Sequence, residues 1–203
     1  TVTLPKELEV IGDRAFENNT NLKNITSGLP QTLLTIGKSS FKCCCSLESI
    51  VIPSKVKSIG EYGFWGCSEY IKSKLPGVGK FDEYYMAEQY GLQEIDLTQA
   101  SSLESIGNRA FGLTAIRQCT LPEKVTEVSQ GLFEYCEFLN KVICSNDTNA
   151  IQNDVFRDCT DLVSITIPAK ATVSYYAFRG NDIGMFNFSV TDPEPYSISI
   201  GEN

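Results

Sequence analysis

Eight cysteines, no histidine and the aspartates Asp154, Asp158 and Asp161 are the residues through which this 203-residue chain could do chemistry. Thiolates form disulfides, hold soft metals or act as nucleophiles; carboxylates hold calcium or move protons. The lack of histidine removes the usual general base, the commonest zinc ligand and every His-containing triad. The aspartate spacing fits no calcium loop. No nucleophile–base pair and no phosphate-cradling loop stands out, so a non-enzyme without metal or cofactor is expected. A net charge of −8 and a pI near 4.7 disfavour nucleic acid, which needs clustered Lys and Arg. No apolar run reaches the roughly 20 residues that span a bilayer. What the thiols do then depends on the elements that position them.

Those elements repeat. Phe16, Phe41, Phe64, Met86, Phe111, Phe133, Phe156 and Phe178 follow one another at intervals of 22 to 25 residues. Five residues before each stands an apolar side chain: Ile11, Ile36, Ile59, Phe81, Ile106, Val128, Ile151 and Val173. Four of these precede Gly, and most anchors follow an apolar-Pro pair such as Ile52-Pro53 or Ile167-Pro168. Self-similarity at this period is the signature of a solenoid. After each anchor comes L-x-x-I-x-I, clearest in Leu47 to Ile52, Leu92 to Leu97 and Leu162 to Ile167. Its alternating end predicts a short strand with one buried face, and the proline, which cannot donate to a ladder, ends it. Stretches such as Val56 to Ile59 predict a second short strand. The Gly then permits a turn, and the Ala-Phe segment reads as one helical or 3₁₀ turn.

The expected fold is a mainly β leucine-rich-repeat solenoid of about eight coils of 22–25 residues, with parallel short strands stacked into one core. The array covers residues 1–188. The stretch 75–97 resembles a linker but keeps the registers, so it reads as a degenerate fourth coil. Val2-x-Leu4-Pro5 matches the end of a strand whose beginning is missing, so the start reads as truncated. Phe186-Asn187-Phe188 is the last repeat strand, and residues 189–203 form a cap strand or a linker.

The unit from Leu47 to Pro53 through Val56, Ile59-Gly60, Phe64 and Cys67 resembles the BspA-type leucine-rich repeat, over residues 2 to 188. The fourth unit departs at the Phe and Cys positions, and the last carries Asn181 in place of Cys. The resemblance implies a cell-surface or secreted protein of the kind found on mucosal bacteria and some parasitic protists. It implies adhesion to a host or microbial protein; separately, a monomer with no membrane insertion in this segment is expected. A spacer holding another module, or a carbohydrate-binding module, are the alternatives. Fold alone carries no function.

The repeat absorbs most of the cysteines. Cys44, Cys67, Cys136 and Cys159 sit three residues after their Phe, where a small apolar side chain fits the turn; Cys119 takes an inward strand position and Cys144 the place before the usual proline. Adjacent-coil pairs, Cys44/Cys67 and Cys136/Cys159, could form strained disulfides. A four-Cys zinc site is excluded, because Cys67 and Cys136 are three coils apart in this reading, about 14 Å at the strand spacing. Cys43 and Cys45 have no place in the repeat, and at least one is expected to be exposed and oxidisable.

The partner-binding candidates are Lys72, Lys74, Glu94, Asp96 and Lys141 on the outward strand face, with Trp65 and Tyr62 beside it. Lys72 and Lys74, one coil from Glu94 and Asp96, make either cross-strand charge pairs or a recognition patch. Tyr62, Trp65, Tyr70, Tyr84, Tyr85 and Tyr90 are either interface anchors or fillers of an irregular coil. Asn18, Asn24, Asn146 and Asn187 match glycosylation sequons, of consequence only in a secreting eukaryote.

Overall fold

A computed structural model describes residues 1–68, 91–181 and 187–190. Each coil contributes two short strands, and every ladder is parallel. The first ladder contains β1 (Val2–Thr3), β3 (Ile25–Thr26), β5 (Ser49–Val51), β7 (Glu94–Asp96), β9 (Gln118–Thr120), β11 (Lys141–Ile143), β13 (Ser164–Ile167) and β15 (Asn187–Val190). The second contains β2 (Val10–Ile11), β4 (Thr35–Ile36), β6 (Ser58–Ile59), β8 (Ser105–Ile106), β10 (Glu127–Val128), β12 (Ala150–Ile151) and β14 (Thr172–Val173). Strands β2 to β13 each turn an Ile, Val or Cys inward with more exposed neighbours, as in the exposed-buried-exposed pattern of Ser49, Ile50 and Val51. No coil could bury this set by itself; neighbours do, and one core runs from Ile11 to Phe178. Each fully buried Leu, Ile or Phe contributes roughly 1.5–3 kcal/mol before chain entropy is subtracted.

The third side of each coil is a turn around its Phe, and here the expected helical or 3₁₀ segment is absent among the described residues. The reason is a pair of left-handed residues two positions before and two after the Phe. They are Arg14 and Asn18, Ser39 and Cys43, Tyr62 and Gly66, Arg109 and Leu113, Gly131 and Tyr135, and Asp154 and Asp158, with φ between 53° and 69°. A helix cannot propagate through such residues. The alternation points the N–H groups at positions −2, 0 and +2 toward the following coil. Arg14, Phe16 and Asn18 donate to the carbonyls of Lys38, Ser40 and Lys42 at 2.7–2.8 Å. The same three-bond pattern recurs at each later coil junction.

Among the described residues seven coils form the stack, not about eight, centred on Phe16, Phe41, Phe64, Phe111, Phe133, Phe156 and Phe178. The coil of Phe64 lies directly against that of Phe111: Tyr62, Phe64 and Gly66 donate to the carbonyls of Asn108, Ala110 and Gly112 at 2.8–2.9 Å. Strand β5 pairs with β7, and β6 with β8. Ser68 and Gly91 form an antiparallel bridge at the base of the intervening stretch. Residues 69–90 lie outside the described residues, so the anchors Phe81 and Met86 fall there; no coil fits between those of Phe64 and Phe111. Apolar types recur at a fixed period by composition alone, whereas stacking demands backbone pairing.

Two finer readings change as well. The Gly after Ile is not there for a turn. A Cβ on Gly37, Gly60 or Gly107 would lie 2.3–2.7 Å from backbone of the preceding coil, so these glycines permit close approach of coil to coil. At the last strand, β13 pairs Ile165 with Phe188 and Ile167 with Val190. The central register position is thus Phe188 rather than Phe186, and the strand reaches two residues beyond 188. A shift of two residues preserves period-2 alternation, which is why the pattern alone did not fix it.

Candidate interaction surface

On the strand face, Ser49 lies in register with Glu94 and Val51 with Asp96; Gln118 and Ser164 flank Lys141. The neighbour of Glu94 is therefore Ser49, not Lys72. Lys72 and Lys74, with Tyr70, Tyr84, Tyr85 and Tyr90, lie outside the described residues. Asp96 is committed locally, its Oδ1 accepting from the backbone N and hydroxyl of Thr98 at 2.8 and 2.6 Å. Glu94 and Lys141 are exposed, and among the described residues neither makes an ion pair. Val51 is an apolar point on the same face, nearly half exposed.

The turn face is of a different kind, because its charges pair with one another. Glu134, almost fully buried, accepts from Arg109 Nε at 2.6 Å and from Arg157 Nη1 at 3.2 Å. Glu134 and the neighbouring Tyr62 hydroxyl hold the Arg109 guanidinium charged above its ordinary range. Arg157 also faces Asp158 Oδ2 at 3.2 Å and lies over the Tyr135 ring at 5.0 Å. This explains the aspartates: Asp154 and Asp158 are the two left-handed residues of their turn, a role Asp fills readily, and Asp161 is exposed. One coil further toward the start, Tyr62 and Trp65 meet edge to face at 6.2 Å. Both are half-buried, so the two aromatic candidates serve the fold at least in part. Reading the position after each Phe as a column (Glu17, Lys42, Trp65, then Glu134 and Arg157) would have found this face.

None of the eight cysteines is in a disulfide and all are buried, so the expected exposed thiol is not found. Cys43 and Cys45 instead form a small second core with Trp65 and Leu113; Cys43, two residues after its Phe, is a left-handed turn residue. The recurrent register does more than fill space. Cys44, Cys67, Cys136 and Cys159 each donate through Sγ to the Phe carbonyl of the preceding coil, at 3.1, 2.9, 3.1 and 3.0 Å. In the last coil Asn181 Nδ2 does the same toward Phe156 at 2.5 Å. Burial pushes the thiol of Cys136 up to about 11 and that of Cys144 to about 12, and raises Cys67, Cys119 and Cys159 strongly. Thiolate chemistry at neutral pH is thereby suppressed.

Parallel strand ladders, a turn ladder and a continuous column of core phenylalanines, their ring centroids 5.1–6.2 Å apart, define a leucine-rich-repeat solenoid. The BspA type leucine rich repeat region matches residues 1–100 and 79–194 in six copies. The chain belongs to that family. Among solved structures it resembles a leucine-rich repeat protein of T. pallidum, at 19% identity and a TM-score of 0.68 over 91% of this chain and 78% of that one. A leucine rich cell surface protein from Faecalibacterium prausnitzii is 19% identical over 94% of this chain and 79% of that one, with a TM-score of 0.43. A leucine-rich repeat protein from Bacteroides ovatus is 21% identical over 94% and 72%, with a TM-score of 0.32. No curated protein matches the chain.

Proposed function

We propose that this array is a surface-exposed or secreted binding module that engages a host or microbial protein, chiefly through its strand face. One contrast carries the reading. Among the described residues most turn-face charges are held in internal pairs, whereas the side chains of Ser49, Glu94, Gln118 and Lys141 are exposed and make no side-chain bond. A rigid row of unengaged side chains at a fixed strand spacing is a surface on which a partner can be read. Family membership supports the same reading, since surface adhesion is what the resemblance implies.

The test is saturable binding of the folded array to a panel of extracellular-matrix and microbial surface proteins. For a partner found in that panel, Lys141→Glu or Glu94→Lys is expected to weaken binding about tenfold, the loss of roughly one interface charge contact. Removal of residues 69–90 tests the contribution of Lys72 and Lys74 independently. A folded array that saturates with no member of the panel refutes the reading and leaves the spacer role.

A further inference from the structure

Over the first three coils, the position after each core Phe runs Glu17, Lys42, Trp65. The rings of Tyr62 and Trp65 stand nearly perpendicular, at 83°, and form a corner with two aromatic walls. Lys42 Nζ lies in it, 5.7 Å from the Tyr62 centroid and 5.5 Å from that of Trp65. Glu17 Oε1 reaches the same ammonium at 3.5 Å. The walls have supports of their own. Trp65 packs on the Cys43 and Cys45 cluster, and Arg109 Nη1 donates to the Tyr62 hydroxyl at 3.5 Å.

We propose that this corner is a recognition site for a basic side chain of the protein partner, and that Lys42 occupies it in the unbound array and gives way on binding. The inference rests on the protein-binding reading above. A cation is attracted by aromatic faces within about 6 Å of the centroid, worth about 0.5–1 kcal/mol at an exposed site. Both Lys42 distances are near that outer limit, and its side chain is 33% exposed, so an incoming cation displaces little. A guanidinium suits the site better than the resident ammonium, because it is planar, less strongly hydrated, and can stack on Trp65 while bonding Glu17. The net charge of −8 draws a cationic partner toward the array.

Trp65 is the single tryptophan, so its emission reports on the corner. The probe is acetyl-arginine amide, with acetyl-citrulline amide as a neutral control of the same shape. In Lys42→Met the arginine probe is expected to change Trp65 emission saturably, about two- to fivefold more tightly than in the wild type, with no saturable response to citrulline. Adding Glu17→Gln or Tyr62→Leu to that variant should remove the response. Lys42→Gln provides a second vacated corner, and urea midpoints establish which variants are folded. Equal responses to arginine and citrulline, or none that saturates in a folded vacated variant, overturn the site. An inert probe alongside intact binding of a protein partner sinks this site alone. An array with no protein partner sinks the broader reading whatever the probe does.

Discussion

Four glycines share one register, and the structure assigns them opposite responses to the same substitution. On Gly12, in the first coil, an added Cβ meets nothing within 4 Å. On Gly37 it would lie 2.7 Å from Asp13 N, on Gly60 2.5 Å from Lys38 N, and on Gly107 2.3 Å from Glu61 N. Ordinary contact needs about 3.4 Å or more, so each of the three must push its coil away from the preceding one by several tenths of an ångström to an ångström. That movement strains the bonds from Gly37 N to Ile11 O, Gly60 N to Ile36 O and Gly107 N to Ile59 O, all now 2.8 Å. Overpacking costs about 1–3 kcal/mol and a lost backbone bond about 1 more, so Gly37→Ala, Gly60→Ala and Gly107→Ala should each destabilise by about 2–4 kcal/mol. Gly12→Ala, acting through the unfolded chain, should stabilise by about 0.4–1 kcal/mol. Coils 5 to 7 carry Ser129, Gln152 and Ser174 in this register, so a backbone that admits a Cβ exists, and the cost is bounded by adopting it. Urea unfolding followed by circular dichroism, with slopes compared to verify that one transition is being measured, gives the four values. If Gly60→Ala and Gly12→Ala move the midpoint alike, close approach is not what the glycines provide.

Two further outcomes follow from the stacking and the thiols. Joining Ser68 to Gly91 by deletion of 69–90 should leave stability within about 1–2 kcal/mol of the intact chain, or raise it, because coils 3 and 4 already bond directly and a long loop closure disappears; a collapse of the unfolding transition would mean that the stretch is a coil after all. The eight thiols should resist a disulfide reagent in the native array and all react in urea. Because Cys136 and Cys144 titrate in the folded state near 11 and 12 rather than at 9.0, their stabilising contribution is complete below about pH 9 and is lost as pH rises toward 11–12. For Cys136 alone the loss is about 3 kcal/mol, and a Cys136→Ala variant, less stable at neutral pH, should show a shallower decline across that window.

The apolar registers were legible because each coil repeats the same demand on residue type: an inward Ile, a core Phe, a strand ended by Pro. Val2-x-Leu4 was recognisable as a strand, β1, for that reason. What the registers could not distinguish is a coil from a stretch that merely matches them. The register after the second strand held the missing clue, since Gly37, Gly60 and Gly107 need their small size against the preceding coil, whereas the proposed fourth unit has Asp82 there. The thiol role was hidden for another reason. Burial of Cys is predictable from pattern, but the acceptor, a Phe carbonyl one coil back, exists only once the turn has been built. Tyr62, Arg109, Leu113 and Tyr135 gave no warning of a left-handed backbone, because the conformation is imposed by the inter-coil ladder rather than by their own preference.

The same ladder identifies where the array is least regular. In the turn, Arg109, Phe111 and Leu113 still donate to Gln130, Leu132 and Glu134, so the third side is continuous from coil 4 to coil 5. The strand pairing is not: the first ladder is interrupted between β7 and β9 and the second between β8 and β10, whereas at β3 and β5 only the first is interrupted. The Phe111 ring is tilted 49° and 48° to its neighbours Phe64 and Phe133, where the pairs elsewhere lie within 17° of parallel. Thr114, in the Cys register of that coil, bonds its own Phe111 carbonyl at 2.7 Å instead of the one before. The glycine register ends at Gly107, on the same coil. These departures coincide at one junction. Where both strand ladders lapse, the register after the second strand also changes from Gly to residues that carry a side chain, beginning with Ser129. Among the described residues the array is therefore two blocks, each held by at least one continuous strand ladder and joined through turn bonds and core packing. Its nearest-neighbour coupling is weakest beside the coil that follows residues 69–90, which places Arg117 and Lys141 on the far side of that seam from Glu94.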